Sequence, residues 1–586
     1  MASEHTHSQS YQALEQLERD DDIVEPKNID DDRPFMGCLL RYRWTLVCVL
    51  AVALVFGIVE LLLHELVIGG QDSGETGDYD IPAYGRIEYN SSKLRGFVSL
   101  GEDGFLYSPS GEQFRMAGCN IYWLGRDENV PGEVYPSAFR IDDALQTALM
   151  MGSNVVRSHT LGVSTGHPHA LVTGVAKDGR LRFNSLAWAP IDYAMDRARA
   201  LGIRLVIPLT DNWWYYHGSK MDFVRWAGFT HERHEAVCAR THDTVEAKAC
   251  PFYSHPRVVA LFKQYVRHVL EHVNPSTGLP LTQDPVVLAW ETGNELIGAD
   301  AEWTQTMAHL IKHELGAKQL VMDGRDLVRD LEAELPFEAE YLDSTPDVDI
   351  ITEHRYYWFL DSPARAAAAR ARGKAYVVGE LDWTAANFPA AADLQGYLQG
   401  LAAEPAVTGW LWWSLFSHKD QAGGFVTHDD GYSAYYPGEP GTDAHRRLAL
   451  MRREALRWIG DSVPDPTALI PAAPHILQAS PHSVSWRGGA GAAHYRVQTR
   501  PKIHSCSASE AEEDPRAAWR TVCEASACAS DFGAHSGVWS TAWAAVPPDP
   551  VSTAGATGVG KVCYRMQAIG VGPAFLEGPW SNHVEA

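Results

Sequence analysis

Basic residues are scarce in this chain. Its 586 residues include 49 Lys and Arg against 74 Asp and Glu, a formal net charge of -25. A nucleic-acid partner needs a basic face, so this balance argues against one. It suits a neutral polymer, or serves solubility alone. Metal and nucleotide motifs are also lacking. His231-Glu232-Arg233-His234-Glu235 has the residue types of H-E-x-x-H but not its spacing, and reads as a solvated loop. Gly162-Val163-Ser164-Thr165-Gly166 matches G-x-S-x-G, but a nucleophile elbow needs a strand running directly into a helix, and Gly166-His167-Pro168 starts one poorly. No metal and no cofactor is therefore expected.

Charge is missing altogether from Trp44 to Val59, and Leu61-Leu62-Leu63 extends the run past Glu60. That is close to the ~20 residues needed to cross a bilayer. The tail before it is long for a signal peptide, and no clear A-x-A cleavage site follows. Arg33, Arg41 and Arg43 precede the run, and no Lys or Arg comes after it until Arg86. The expectation is a single-pass type II anchor over 44–68, with 1–43 a cytosolic disordered tail, 69–95 a linker and the rest extracellular or lumenal. The cysteines agree with an oxidising side. Cys238 and Cys250 bracket a polar loop and are candidates for a disulfide. Cys506, Cys523, Cys528 and Cys563 cluster late, with connectivity open. Cys119 lies in a strand-like run and reads as a buried free thiol. Asn90-Ser91-Ser92 is the one glycosylation sequon found, in the linker.

Residues 96–462 alternate apolar strand-like runs with helical stretches. The strands are expected at Phe114–Tyr122, Asn154–Ser158, Arg204–Leu209, Pro285–Trp290, Gln319–Met322, Val348–Glu353, Ala375–Gly379 and Thr408–Trp413. Helices are expected at Ile141–Met151, Pro190–Leu201, Val258–Val273, Ala301–Leu315, Ser362–Ala371 and Asp393–Leu401. This α/β pattern is that of a (β/α)8 TIM barrel. After prolines 464, 466, 471 and 474 the pattern becomes all-β. Ser483-Val484-Ser485-Trp486, Tyr495-Arg496-Val497-Gln498 and Cys563-Tyr564-Arg565-Met566-Gln567-Ala568 alternate, before Gly578-Pro579-Trp580-Ser581. Residues 463–586 resemble a fibronectin type III sandwich, departing from it in the insert Ser505–Ala556. This C-terminal domain is expected to act as a spacer.

Two barrel strands end in carboxylates. Pro285-Val286-Val287-Leu288-Ala289 leads into Trp290-Glu291-Thr292-Gly293-Asn294-Glu295, and Ala375-Tyr376-Val377-Val378-Gly379 into Glu380. Catalytic groups of such barrels sit at the C-terminal ends of strands, and two carboxylates there are what a retaining glycosidase needs. Further motifs follow in barrel order: Met116-Ala117-Gly118-Cys119-Asn120-Ile121-Tyr122-Trp123, Asn154-Val155-Val156-Arg157, Asp211-Asn212-Trp213-Trp214, His354-Arg355-Tyr356 and Trp413. Taken together the region resembles glycoside hydrolase family 5, within it the endo-β-1,4-mannanase-like branch.

The resemblance implies roles. Glu295 is the expected general acid/base, with its pKa raised by its surroundings. Glu380 is the expected nucleophile, kept ionised by Arg157 and bonded by Tyr356. Asn294 is expected on the sugar 2-hydroxyl and His354 beside the acid/base. Trp413, Trp123, Asn212 and Trp213 complete the expected substrate-binding set, since sugar C–H faces pack on flat aromatic rings. Trp412 is the register alternative to Trp413. The resemblance implies hydrolysis of mannan or glucomannan. A β-1,3/1,4-glucanase and a carbohydrate-binding surface protein on an inactive barrel are the alternatives. The sequence departs from the family pattern at Ser158-His159, where Thr-Trp is usual, at Thr292-Gly293 and at Leu381-Asp382-Trp383. These changes are expected in the walls of the sugar subsites.

Overall fold

Apolar runs bounded by polar loops become eight parallel strands closed on themselves. The computed structural model describes residues 82–85, 94–214, 217–240, 244–325, 339–356, 362–460, 470–480, 483–501, 519–523, 530–532, 538–540, 562–569 and 577–585. All of them lie in the second of two units, residues 81–586. The apolar run 44–68, the sequon at Asn90 and Trp358 lie outside the described residues. Among the described residues no helix is long and apolar enough to cross a membrane.

The strands are β1 (Met116–Asn120), β2 (Val155–Arg157), β3 (Arg204–Pro208), β4 (Val287–Glu291), β5 (Leu320–Met322), β6 (Ile350–Arg355), β7 (Ala375–Leu381) and β8 (Val407–Trp412). Each pairs in parallel with its neighbours, and β8 closes on β1. Helices follow each strand: α1 (Ala138–Met150), α2 (Trp188–Leu201), α3 (Pro256–Leu270), α4 (Ala301–His309), α5 (Ala339–Ser344), α6 (Ser362–Arg370), α7 (Ala391–Ala403) and α8 (Asp443–Ile459). Every expected strand is in the barrel; α5 and α8 were not expected.

Local chemistry sets the helix ends. Ser137 Oγ accepts from the Arg140 amide at the start of α1, and Asp300 does the same for Trp303 at α4. In α3, Val258, Leu261, Phe262, Tyr265, Val266 and Val269 are buried at helical spacing, giving one apolar stripe against the strands. Inside the barrel, Met116, Val155, Val206, Ala289, Leu320, Ile350, Ala375 and Leu411 belong to one apolar cluster with a member from every strand. Met116, Val155, Leu320, Ile350 and Ala375 are the first residues of their strands, so the cluster reaches the N-terminal end of the barrel. Val98 and Leu106, on a two-stranded hairpin, plug that end. Each such side chain contributes roughly 1.5–3 kcal/mol. The opposite end is left for polar groups.

The C-terminal region forms two antiparallel sheets. One holds β9 (His475–Ser480), β10 (Ser483–Arg487) and β13 (Val538–Ser540). The other holds β12 (Arg520–Cys523), β11 (His494–Pro501), β14 (Val562–Ile569) and β15 (Glu577–Trp580), with β16 (Val584–Glu585) also on β14. Strand alternation turns Val484 and Trp486 inward against Tyr495, Val497, Tyr564 and Met566. This region is not a detached spacer. His418, after β8, stands between Asp143 of α1 (Nδ1 at 3.0 Å) and Asp531 (Nε2 at 3.1 Å). The indole of Trp486 donates to Asp531 at 3.2 Å, and Tyr495 donates to it as well. Arg487 lies 3.8 Å over the ring of Phe139.

Cys238 and Cys250 are joined in a disulfide, and Cys523 and Cys563 are also disulfide-bonded. Cys119 is a buried free thiol pushed up to about 12 by burial. Ser164, in the G-x-S-x-G match, sits in a buried loop and accepts from the Leu171 amide. His231 caps a short helix, Glu232–Glu235.

Candidate active site

At its C-terminal end β4 turns Glu291 into the barrel, and the chain continues through Thr292 and Gly293 to Asn294 and Glu295. Gly324, from the loop after β5, packs on this turn. A Cβ there would stand 1.9 Å from the Gly293 carbonyl oxygen, so only glycine fits. Glu295 is, among the described residues, the non-glycine residue held at positive φ (48°). That conformation costs on the order of 1 kcal/mol, and its carboxylate is gripped from two sides. His354 Nδ1 donates to Oε1 at 2.7 Å, and the Trp213 indole donates to Oε2.

Arg157, at the end of β2, is the hub. Its guanidinium is fully buried and gives Nε to Glu291 at 2.7 Å, Nη2 to Glu291 at 2.9 Å and to Asn294 at 2.7 Å, and Nη1 to Glu380 at 2.7 Å. Asn120 accepts from Nη1 at 3.0 Å and is itself anchored to the Gly379 carbonyl. Asn294 is fixed at both ends of its amide, accepting from Arg157 and donating to Asp211 at 3.0 Å.

The third contributor is β6. Its pairing with β7 slips by one residue between Glu353 and His354, which brings His354 opposite Glu380. The extra residue, Gly379, lies on β7, and a bulge re-aims the side chain that follows it, here Glu380. Glu353 then faces outward to Arg365 at 3.0 Å, while His354 faces Glu295 and, at 3.5 Å, Glu380. Tyr356 donates to Glu380 Oε2 at 2.6 Å. Glu295, His354 and Glu380 present ligand-type atoms that all lie within 4.8 Å of one another.

Protonation in this cluster differs from the sequence expectation. Burial pushes Glu295 up, but the His354 bond and charge, the Trp213 bond and Arg157 outweigh it and hold the carboxyl at about 2. Burial pushes His354 down, and the charges of Glu380 and Glu295 outweigh that, so the imidazole is raised. Glu380 is raised, by burial first and then by the charge of Glu295, against His354, Arg157 and Tyr356. The free site therefore keeps its proton on His354, one hydrogen bond away from Glu295. Two strongly coupled groups share it, and they titrate as a pair. Arg157 gives two of its three nitrogens to Glu291 and one to Glu380, and its charge lowers Glu380 less than burial raises it. The bidentate pair with Glu291 was not expected: Glu291 is the ion partner of Arg157.

The surroundings sort the remaining expected residues. Trp413 follows β8 beside the site. Its indole donates to Asp430 at 2.7 Å, and its ring stacks on Tyr122 at 5.5 Å. His159 meets its edge at 5.4 Å and is held neutral by burial and by Arg157. Trp412, the alternative, is buried in the core. Trp213 is on Glu295, and the neighbouring Trp214 is 49% exposed. Two expectations fail. Trp123 is 0% exposed, stacked on Phe416 with its indole donating to the Leu415 carbonyl, so it has no face for a sugar. Asn212 is buried and accepts from Lys220 Nζ at 2.6 Å, which ties down the loop instead of lining the cleft. Sequence reasoning missed Asn120, Asp211, Glu291 and Asp430. Asn120, Asp211 and Glu291 stood inside quoted motifs; Asp430 lies in the loop after β8, where no pattern marks it.

A closed (β/α)8 barrel with paired carboxylates at its C-terminal face has the architecture of the glycoside hydrolase class. Residues 95–385 match the family described as GH family 5 beta-mannosidase-like. Among curated proteins, mannan endo-1,4-beta-mannosidase 1 of Solanum lycopersicum is 26% identical over 259 residues, 43% of this chain and 55% of the relative. Mannan endo-1,4-beta-mannosidase 4 of Oryza sativa subsp. japonica is 29% identical over 243 residues, 40% of this chain and 45% of the relative. The chain spans about half the length of the curated relatives it matches. Among solved structures, the endo-1,4-beta-mannanase from Rhizomucor miehei aligns with a TM-score of 0.47 at 19% identity, over 61% of this chain and 100% of that one. The hyperthermostable endo-1,4-beta-D-mannanase from Thermotoga petrophila aligns with a TM-score of 0.43 at 23% identity, over 58% and 99%.

Proposed function

We propose that the chain is a retaining β-glycanase acting on mannan or glucomannan, an endo-β-1,4-mannosidase working by double displacement. One observation carries the mechanism: carboxylate oxygens of Glu295 and Glu380 approach within 4.8 Å. Retaining enzymes hold the two carboxyl groups about 5–5.5 Å apart, whereas inverting ones need roughly 6.5–9.5 Å for a water. The proton shared by His354 and Glu295 passes from the Glu295 carboxyl to the glycosidic oxygen as that bond breaks. Glu380 attacks the anomeric carbon and forms a glycosyl ester. Glu295, now a carboxylate, takes a proton from water, which displaces Glu380 and restores both groups. Asn294 binds the 2-hydroxyl, Trp413 carries a sugar face, and Trp214 offers its exposed ring to the polymer. The mannan assignment rests on the family match and on the names of the curated relatives.

Reducing ends released from mannan, glucomannan, cellulose, β-1,3-glucan and xylan test the reading. Release from mannan or glucomannan alone is expected. Release from a glucan alone would overturn the substrate but keep the mechanism. Silence across the panel would favour a binding protein. Glu380→Gln is expected to abolish turnover while binding survives. The charge-free run from Trp44 to Val59 supports a type II membrane anchor over 44–68 with the barrel on the outer side, and the two-sheet C-terminal region supports the fibronectin type III-like reading. Carbonate-resistant membrane association, lost on deleting 44–68, checks the anchor.

A further inference from the structure

On the outer surface of the barrel a second group of titratable side chains converges. Helix α4 ends at His309 and passes into a π-helical turn, Leu310–Glu314, which carries His313. Leu310 and Ile311 anchor that turn in the core, so the two histidines face outward, 56% and 55% exposed. Asp347, in the loop that enters β6, meets both. Its Oδ2 lies 3.2 Å from His309 Nδ1, and its Oδ1 lies 2.8 Å from His313 Nε2. The three ligand atoms all lie within 4.8 Å of one another.

We propose that His309, His313 and Asp347 form a binding site for one divalent transition-metal ion of the zinc type, at the end of the barrel opposite Glu295 and Glu380. Zinc takes imidazole nitrogen at about 2.0–2.1 Å and carboxylate oxygen at about 2.0–2.2 Å in a tetrahedral shell, so neighbouring ligand atoms stand roughly 3.3–3.5 Å apart. The Asp347 carboxylate stands between the two imidazoles, 3.2 Å and 2.8 Å from them through different oxygens, so a small rotation lets one oxygen share an ion with both nitrogens. The histidine rings are 4.7 Å apart, tilted by 36°, and exposed enough to rotate the remaining pair of nitrogens together. Two imidazoles and one carboxylate leave a fourth position for water.

Two further features suit a ligand shell. Gln305, one turn before His309 on α4, donates to Asp347 Oδ2 at 2.6 Å and accepts from the Asp347 amide at 3.1 Å. Such outer contacts orient a ligating carboxylate. The second is that Lys312, next to His313 in the chain, is held by Asp349 at 2.6 Å. The donor set favours zinc, copper or nickel over calcium or magnesium, which prefer all-oxygen shells. A bound ion would staple α4 to the entry of β6 and leave the cleft open, so its effect would be on stability.

The untagged protein, stripped with chelator, is titrated with Zn2+, Mg2+ and Co2+ at pH 7.5, alongside His309→Ala/His313→Ala and Asp347→Asn. Zn2+ is expected to bind in a 1:1 ratio and raise Tm by about 2–4 °C, with Mg2+ inert. Co2+ should give the visible absorption of a tetrahedral nitrogen–oxygen site. The double variant should lose at least tenfold in affinity and the Tm rise, with glycanase turnover unchanged. Asp347→Asn should weaken binding and keep the protein folded. No saturable Zn2+ binding, or an equal Tm rise in the double variant, would overturn the proposal. So would an equal response to Mg2+.

Discussion

Arg157 divides its charge between Glu291 and Glu380, and that division is testable. Glu291→Gln keeps the shape but frees the guanidinium to act on Glu380. The acidic limb of the rate–pH profile, which starts above the usual carboxylate range because Glu380 is raised, should then move to lower pH. Initial rates across pH 3–7 would detect it; an unmoved limb means Glu291 only positions Arg157. The alkaline limb belongs to the proton shared by His354 and Glu295. Because His354 is raised, activity should fall only above its ordinary value of ~6.5. In His354→Gln the proton must sit on Glu295 alone, whose carboxyl would rise from about 2 once the imidazolium is gone. The alkaline limb should therefore move toward acid, and kcat should drop about 10²-fold or more.

Between elements, the turn carrying Asn294 and Glu295 depends on one close approach. Gly324→Ala places a methyl group against the Gly293 carbonyl. Overpacking of this kind costs about 1–3 kcal/mol, and here it pushes on the acid/base turn. kcat is expected to fall at least tenfold with Tm lowered by only a few degrees. A loss of Tm with kcat intact would show that the turn tolerates the shift. The bulge in β7 is the other such device. Val377 faces the barrel interior and Val378 the outer core, so without the extra residue Gly379 the strand period would turn Glu380 outward, away from Arg157.

Across the molecule, the C-terminal sheets are joined to the barrel through a buried cation. The charges of Asp143 and Asp531 overcome burial and raise His418 to about 10. His418→Ala leaves two carboxylates buried without their counter-charge, at a cost of about 3–5 kcal/mol. Because the folded pKa stands above the unfolded ~6.5, the contribution is full below pH 6.5 and is lost as pH climbs through 10. Thermal unfolding of wild type should weaken over that window. His418→Ala should start lower and follow a flatter pH profile. Parallel profiles would place the pH response elsewhere.

The barrel strands were legible because a strand buried on both faces must be a continuous apolar run, and those runs stand out from any background. Glu295 and Glu380 were legible for the same reason, as carboxylates that end such runs. Fold class and the candidate pair of acids were thus determined by local pattern. The rest was decided by tertiary structure, because it depends on which way a side chain turns just beyond a strand. Trp123 and Trp413 carry the same signal in sequence, yet one is sealed against Phe416 and the other stands beside the site. Glu291 and Glu353 are both acids at strand ends, and only the closing of the barrel gives the first to Arg157 and the second to Arg365. The proton order of Glu295, His354 and Glu380 is tertiary in the same sense. Desolvation and charge at a few ångströms set it, and no spacing along a chain encodes those distances.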